Sequence, residues 1–429
     1  MKKKKIKEDD RKFYTYRFRI YPTTEQESFF QKQMDANRFV YNFFLERQTH
    51  LYNQYGVKSN YNSNAAVLTL AKKGFPFLKE VNSQSLQQIL MDLEDAFHKF
   101  YKKQGGYPNF KKKGVYNSIK IPDKFKIENN HIFIPKINKS PIKVKFHRKV
   151  YEQVKSISIS KTTSGKYYVN MLVEKFKYSP YIPKKSINVS TGIDVGIKDF
   201  ATITTGRNIN DKQSSKIPNP KFLFESMNKL VKLSRQLDRK QHKRTKQDKT
   251  VSSKNYIKCK NKVSKLHEHI TNQRNDFLHK LSSMMVNDSQ VIVVEDLNIK
   301  GMVKNKKLSK SIVDVSWSKF FQMFEYKSNL YGRTVFKVNR FYPSSKTCST
   351  PGCNYIHKDL KLSERYWTCP ECHTVHDRDV NASINLFLEG LKQIGQELSE
   401  FTPVEYAPVG YQVPGISCHT LKQETTTFI

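Results

Sequence analysis

A chain of 429 residues with 76 Lys and Arg against 38 Asp and Glu carries a formal charge of +38, which makes nucleic acid its first candidate partner. That length exceeds one core and implies more than one domain. With 12% aromatic residues it is no disordered basic tail, and no run approaches the roughly eighteen apolar residues of a membrane span.

The opening MKKKKIKEDDRK has no apolar segment behind its lysines, so residues 1–12 read as a solvated basic arm and not a secretory signal. Phe13–Tyr21 alternates and is rich in β-formers, which predicts a strand. Thr24 is placed to cap a helix, with Glu27 as reciprocal partner, and the helix should run to about Asn53 with Phe29, Ala36, Val40 and Phe43 inward. A second helix over Ser85–Lys103 carries Leu86, Leu90, Leu93, Phe97 and Phe100 on one face. Gly105 and Gly106 end it, ahead of the basic loop Lys111–Lys113.

From about Asn117 the period changes to two. Ser118–Ile121, His131–Ile134, Ile142–His147, Val154–Ile159 and Lys166–Glu174 read as short strands. With the N-terminal strand they predict a small β-barrel over 13–22 and 114–180, interrupted by a helical lobe over 23–113. The proline-containing Tyr178–Lys185 marks the main boundary.

Beyond it, NVSTGIDVGIKDFATITTG reads as two adjacent strands, the first ending at Asp194. Lys221–Met285 predicts a basic helical hairpin. One apolar stripe holds Leu223, Met227, Leu230 and Leu237, the other Cys259, Val263, Leu266, Ile270, Phe277 and Leu281. The basic tract Arg239–Lys249 falls at its tip. Gln290–Val294 is a buried-type strand ending at Glu295, followed by a helix over Trp317–Tyr331 and a strand over Arg333–Asn339. A last helix over Val380–Glu389 precedes a loosely ordered tail from Leu391. The class is multidomain α+β, its second half a mixed sheet covered by helices over 181–347 and 376–390.

Two features carry chemistry. Cys369 and Cys372 are spaced as a metal knuckle, and Cys348 and Cys353 form a second pair upstream, so 348–375 reads as a ribbon holding one structural zinc. Four residues separate the upstream pair, and His373 or His376 is a substitute for one of its thiolates. Free and paired thiols of this kind suit a reducing compartment.

The second feature is acidic. Asp194 and Glu295 end strands, and Asp379 starts the last helix, where capping that helix is its plainer role. Asp199, Asp296 and Asp377 compete for the same places. Three acids in one sheet need cations between them, and two Mg²⁺ ions about 4 Å apart, or Mn²⁺, would neutralise the acids and serve phosphodiester hydrolysis.

Four stretches carry a resemblance: GIDVGIKDFA (192–201), VVEDLNIKGM (293–302), FYPSSKTCSTPGC (341–353) and WTCPECHTVHDRDVNASINL (367–386). They resemble the RuvC-like nuclease blocks of the TnpB family, transposon-encoded RNA-guided DNA endonucleases related to type V CRISPR effectors. YRFRIYPTTEQE, SLQQILMDLEDAFHKF and RNDFLHKLSS extend the likeness over nearly the whole chain. The resemblance implies a RuvC-like core of the RNase H type with Asp194, Glu295 and Asp379 as catalytic carboxylates, the last chosen over Asp377. It further implies a wedge-like barrel, a helical recognition lobe, a zinc ribbon and a bound guide RNA. Target double-stranded DNA is the second partner, read beside a short flanking motif by the lobe, with Tyr61 and Gln87 at positions resembling its readers. A cytoplasmic monomer acting at the nucleoid is the expected setting. Two departures stand out: the wide upstream cysteine pair, and Ser383 where Ala is common. The competing expectations are a guide-independent resolvase or transposase-associated nuclease, and a nuclease-dead nucleic-acid-binding regulator.

Overall fold

The computed structural model describes residues 11–114, 117–137, 140–176, 189–242, 253–361 and 363–400. The chain divides into two compact units, Met1–Ile182 with Lys221–Phe277, and Pro183–Pro220 with Leu278–Ile429. Most of the basic arm, the Tyr178–Lys185 linker and most of the hairpin tip lie outside the described residues. Among those described, no helix is long and apolar enough to cross a membrane.

In the first unit, β1 (Arg11–Tyr21) leads into α1 (Thr24–Tyr55). The cap is one residue earlier than expected. Thr23 Oγ1 accepts from the Gln26 amide, and Gln26 Oε1 accepts from the Thr23 amide. Both Thr-x-x-Glu/Gln frames satisfy the capping pattern, but Gln26 also donates to Ser140, and this third tie selects the register. Next come α2 (Tyr61–Gly74), α3 (Phe77–Glu80) and α4 (Ser83–Tyr101). A buried polar chain joins α1 to α4. Gln33 accepts from the Asn82 amide, Asn37 donates to Ser85 Oγ, and Asn82 caps α4 through the Ser85 amide.

Strands β2 (Ser118–Ile121), β3 (Lys126–Glu128), β4 (His131–Phe133), β5 (Ile142–Lys145), β6 (Val154–Lys161) and β7 (Tyr167–Phe176) join β1 in a seven-stranded sheet of order β2-β6-β7-β1-β5-β4-β3. Every pairing is antiparallel. Alternation sends Phe18, Ile20, Ile157, Ile159, Tyr167, Val169 and Met171 to one buried face, as period-two strands require.

The second unit opens with β8 (Ser190–Val195), β9 (Asp199–Gly206) and β10 (Gln213–Pro218). Then come α5 (Phe222–Glu225), α6 (Met227–His242) and α7 (Lys254–Asp288). The hairpin is an insertion in sequence, yet residues 221–277 group with the first unit. Glu268 on α7 shows why, since it accepts from Ser164 Oγ and Tyr168 OH and pairs with Lys166.

The chain continues through β11 (Val291–Glu295), α8 (Ile299–Met302), α9 (Ser309–Val315), α10 (Trp317–Tyr331), β12 (Thr334–Val338), β13 (Tyr366–Thr368), β14 (Val375–Asp377) and α11 (Arg378–Glu400). The main sheet has the order β10-β9-β8-β11-β12, parallel across β8, β11 and β12 and antiparallel at β9 and β10. The last helix runs to Glu400, so the expected loose tail from Leu391 is corrected over its first ten residues. Residues 401–429 lie outside the described set.

Candidate active site

Packing of α11 on β8 builds the site. A methyl group on Gly192 would lie 2.2 Å from the Phe387 amide nitrogen and 2.3 Å from the Ser383 carbonyl oxygen, so helix and strand backbones touch there. Ser190 Oγ donates to the Phe387 carbonyl, and Gly390 sits against Ser190. Two residues along a strand advance about 6.6 Å and four along a helix about 6 Å. Running antiparallel, the two elements stay in step: Ser190 lies beside Phe387, Gly192 beside Ser383, and the next step brings Asp194 toward Asp379.

Glu295 reaches the same end by register. β11 pairs in parallel with β8 through Val294 and Ile193, so Glu295 and Asp194 are the next residues outward on neighbouring strands, one strand spacing of about 4.8 Å across the sheet. The three acids feel one another. Burial, then the charges of Glu295 and Asp379, push the Asp194 carboxyl well above the ordinary carboxylate range, although the side chain is half-buried and not sealed from solvent.

Two of the three competing acids have other work. Asp377 Oδ1 accepts from the amides of Asp379 and Val380, both at 3.1 Å, so it is Asp377 that caps α11. Its other oxygen holds Lys216 at 2.7 Å, and these donors keep Asp377 below the usual range against the opposing effect of burial. Asp296 is paired with Arg340 at 2.8 Å. The capping role proposed for Asp379 therefore falls to its neighbour. Asp379 instead faces Arg365, whose NH1 lies 3.2 and 3.1 Å from its two oxygens.

Residues that the sequence reading passed over hold this end together. Ser344 Oγ donates to Glu295. Asn385 donates to the carbonyls of Ser344 and Thr347, both at 2.7 Å, and Asn381 donates to Thr347 while accepting from the Ser349 amide. The helix that carries Asp379 thus also clamps the loop that holds Glu295. Ser383, a small departure by size, is fully buried and shares a 2.7 Å hydrogen bond with Thr204 Oγ1 of β9. The Asn-x-x-x-Asn spacing on one helix face was the available signal.

The four cysteines close into one cluster. All four sulfurs lie within 4.8 Å of one another, with Cys348–Cys372 and Cys353–Cys369 at 3.6 Å. A tetrahedron with metal–sulfur bonds of about 2.3 Å has edges of about 3.8 Å, so this donor set fits zinc. The wide upstream spacing is absorbed by a turn in which Gly352 takes φ +82°, a left-handed conformation that suits glycine. Buried His376 places Nε2 3.1 Å from Cys348 Sγ, and His373 is exposed at the turn after Cys372. Among the described residues, the four cysteines are the group of possible metal ligands this compact, and the three carboxylates form a looser set. Tyr61 begins α2, half-buried, with its amide on Glu94, while Gln87 is exposed on α4, so the two lie on different helices.

A mixed sheet with converging acids at one end, joined in one unit to a closed thiol cluster and strongly basic overall, defines a nucleic-acid-handling α/β protein. Comparison with known proteins narrows this class. The family model described as "Probable transposase" matches residues 168–306, "Cas12f1-like, TNB domain" matches 317–386, and "Helix-turn-helix domain" matches 14–57, which here is β1 with α1. A protein of Streptomyces pristinaespiralis, provisionally named an RNA-guided DNA endonuclease, is 34% identical over 382 residues, spanning 88% of this chain and 89% of the relative. The similarly named InsQ of Escherichia coli K12 is 28% identical over 93% of this chain and 98% of its own. The TnpB-like protein L79 of Acanthamoeba polyphaga mimivirus is 31% identical over 49% of this chain and 39% of its own. Among solved structures, a Cas12f1–sgRNA–target DNA complex aligns over 88% of this chain and 99% of that one, with TM-score 0.47 and 15% identity. The chain belongs to the TnpB family.

Proposed function

We propose that this chain is an RNA-guided DNA endonuclease of transposon origin, cutting target DNA beside a short flanking motif at Asp194, Glu295 and Asp379. The observation that carries this reading is the convergence of Asp194, Glu295 and Asp379 at one end of the sheet through the packing of α11 on β8 and the β8–β11 register, in a family whose relatives bear that name. Acids that repel one another at a strand end are a donor set suited to divalent cations, and they fit magnesium. When bound, two Mg²⁺ ions would activate a water and stabilise the leaving oxygen of a phosphodiester. The protein's part is placement. Asp377 and Lys216 fix the start of α11, Ser344 orients Glu295, and Arg365 offers a guanidinium to Asp379 or to a phosphate.

In this reading the five-stranded sheet is a RuvC-like core of the RNase H type. The seven-stranded sheet is the wedge-like barrel, α1 to α4 form the recognition lobe, and 348–375 is a zinc ribbon. Two measurements test it together. The purified chain should carry a discrete RNA, raising its 260/280 absorbance ratio until RNase lowers it, and the guide-loaded protein should cut matched DNA. A chain that purifies free of RNA and cuts DNA without a guide would overturn the proposal in favour of a guide-independent nuclease.

A further inference from the structure

The helical lobe holds a cavity of about 370 Å³ between α1, the start of α2 and α4. Leu93 and Phe97 form its apolar wall, and Lys58 stands on its lining. Two amide side chains also face it, Gln48 at 4% exposure and Asn64 at 6%. Their orientation is fixed by what binds the oxygen side. Gln48 Oε1 accepts from the Ser59 amide at 3.0 Å and from the Ser59 hydroxyl, and Asn64 Oδ1 accepts from the Arg47 guanidinium at 3.1 Å. A backbone amide and a guanidinium can only donate, so the oxygens must point to them and the NH₂ groups must point away. Among the described residues no acceptor meets either NH₂ group, and both residues line the cavity. Both donors are open to the cavity and are free to bind a ligand that enters it. Glu94, also on the lining, gives one oxygen to the Tyr61 amide at 3.1 Å and brings a carboxylate acceptor to the same wall.

We propose that this cavity binds an unstacked thymine or uracil base. Two donors with an acceptor complement an edge that reads acceptor, donor, acceptor, which is the edge that the O4, N3–H and O2 groups of thymine and uracil present. Cytosine replaces O4 with a donor, adenine offers a donor and an acceptor, and guanine offers one acceptor beside two donors. Leu93 and Phe97 meet the ring, and Lys58 is placed for the adjoining phosphate. The inference rests on the nuclease reading only for the kind of polymer that supplies the base, and its test needs neither guide nor cleavage.

The test uses the full-length chain, stripped of nucleic acid, and fluorescein-labelled pentanucleotides with one central pyrimidine. The DNA probes are AATAA and AACAA, and the RNA probes are AAUAA and AACAA. By anisotropy, the thymine or uracil probe should bind about tenfold more tightly than its cytosine counterpart, the scale of one to two hydrogen bonds. The polymer with the tighter probe identifies the source, target DNA or guide RNA. Gln48→Glu and Asn64→Asp keep size and keep the Ser59 and Arg47 contacts while turning a donor into an acceptor. At whichever amide faces position 4 of the ring, the substitution should abolish the preference over cytosine, because thymine or uracil loses its match at O4 while cytosine gains one at its amine. Equal binding of all probes by the wild type, or a thymine and uracil preference unchanged in both variants, would overturn the proposal. Thermal melting of each variant establishes that it is folded.

Discussion

The second unit contains two clusters of potential metal ligands, and they are built on opposite principles. The four cysteines come from two turns with short spacings, and their sulfurs all close within 4.8 Å of one another. Soft thiols gathered this way make a site that is complete in itself and contributes folding free energy. The carboxylates come from β8, β11 and α11, spread over 185 residues of sequence, and no local motif brings them together. They converge only because Gly192 lets a helix lie directly on a strand, and they remain open and mutually repelling. A closed cluster suits structure, whereas an open and electrostatically strained one suits chemistry.

The difference can be broken at the acids first. Asp194→Ala, Glu295→Ala or Asp379→Ala should lower DNA cleavage by at least about a hundred- to a thousandfold. Guide retention and target binding should survive, since these draw on many separate phosphate contacts. A gel-based cleavage assay beside a filter-binding assay separates the two. Next in size is Gly192→Ala, where the new methyl meets backbone and cannot be relieved by a rotamer change. It should cost about 3 kcal/mol in a denaturant melt and remove cleavage as well. Gly390→Ala, which meets the Ser190 and Val293 side chains, should cost less.

Much of this was legible in the chain, and what was not has physical causes. Strong alternation announced β1, β6 and β7, and the fully apolar Val291–Val294 announced β11. The three-residue β3 and the polar edge strand β10 (QSSKIP) had too little pattern to announce them. The acids and cysteines could be named because metal chemistry restricts residue type. Ser344, Asn381 and Asn385 could not, because their partners are chiefly a strand-end carboxylate and backbone carbonyls 34 to 49 residues away. Choosing Asp379 over Asp377 rested on resemblance. The structure adds a reason, since Asp377 is occupied as the helix cap.

At the thiol cluster, Cys369→Ser should lose about one equivalent of zinc per chain by elemental analysis. Cleavage should weaken less than in the acid variants, because Asn381 and Asn385 still clamp the loop at Ser344. Full zinc occupancy in that variant would contradict the four-thiol assignment. Smaller again is Asp377→Ala, which removes the cap of α11 and the Lys216 pair. It should cost about 1 kcal/mol and leave measurable cleavage. Complete loss of activity there, with Asp379→Ala active, would reverse the assignment of the two acids.

The most direct test concerns the repulsion at Asp194. Its folded-state carboxyl titrates above the unfolded value, so the unfolded chain releases the proton first and the native state loses stability as pH rises between the two. At neutral pH and without divalent cations, Asp194→Asn should therefore melt at a higher temperature than the wild type. Adding Mg²⁺ should raise the wild-type midpoint and leave that of Asp194→Asn nearly unchanged. A metal-free variant less stable than the wild type, or an equal Mg²⁺ response in both proteins, would contradict the claim that these acids form an open site for divalent cations.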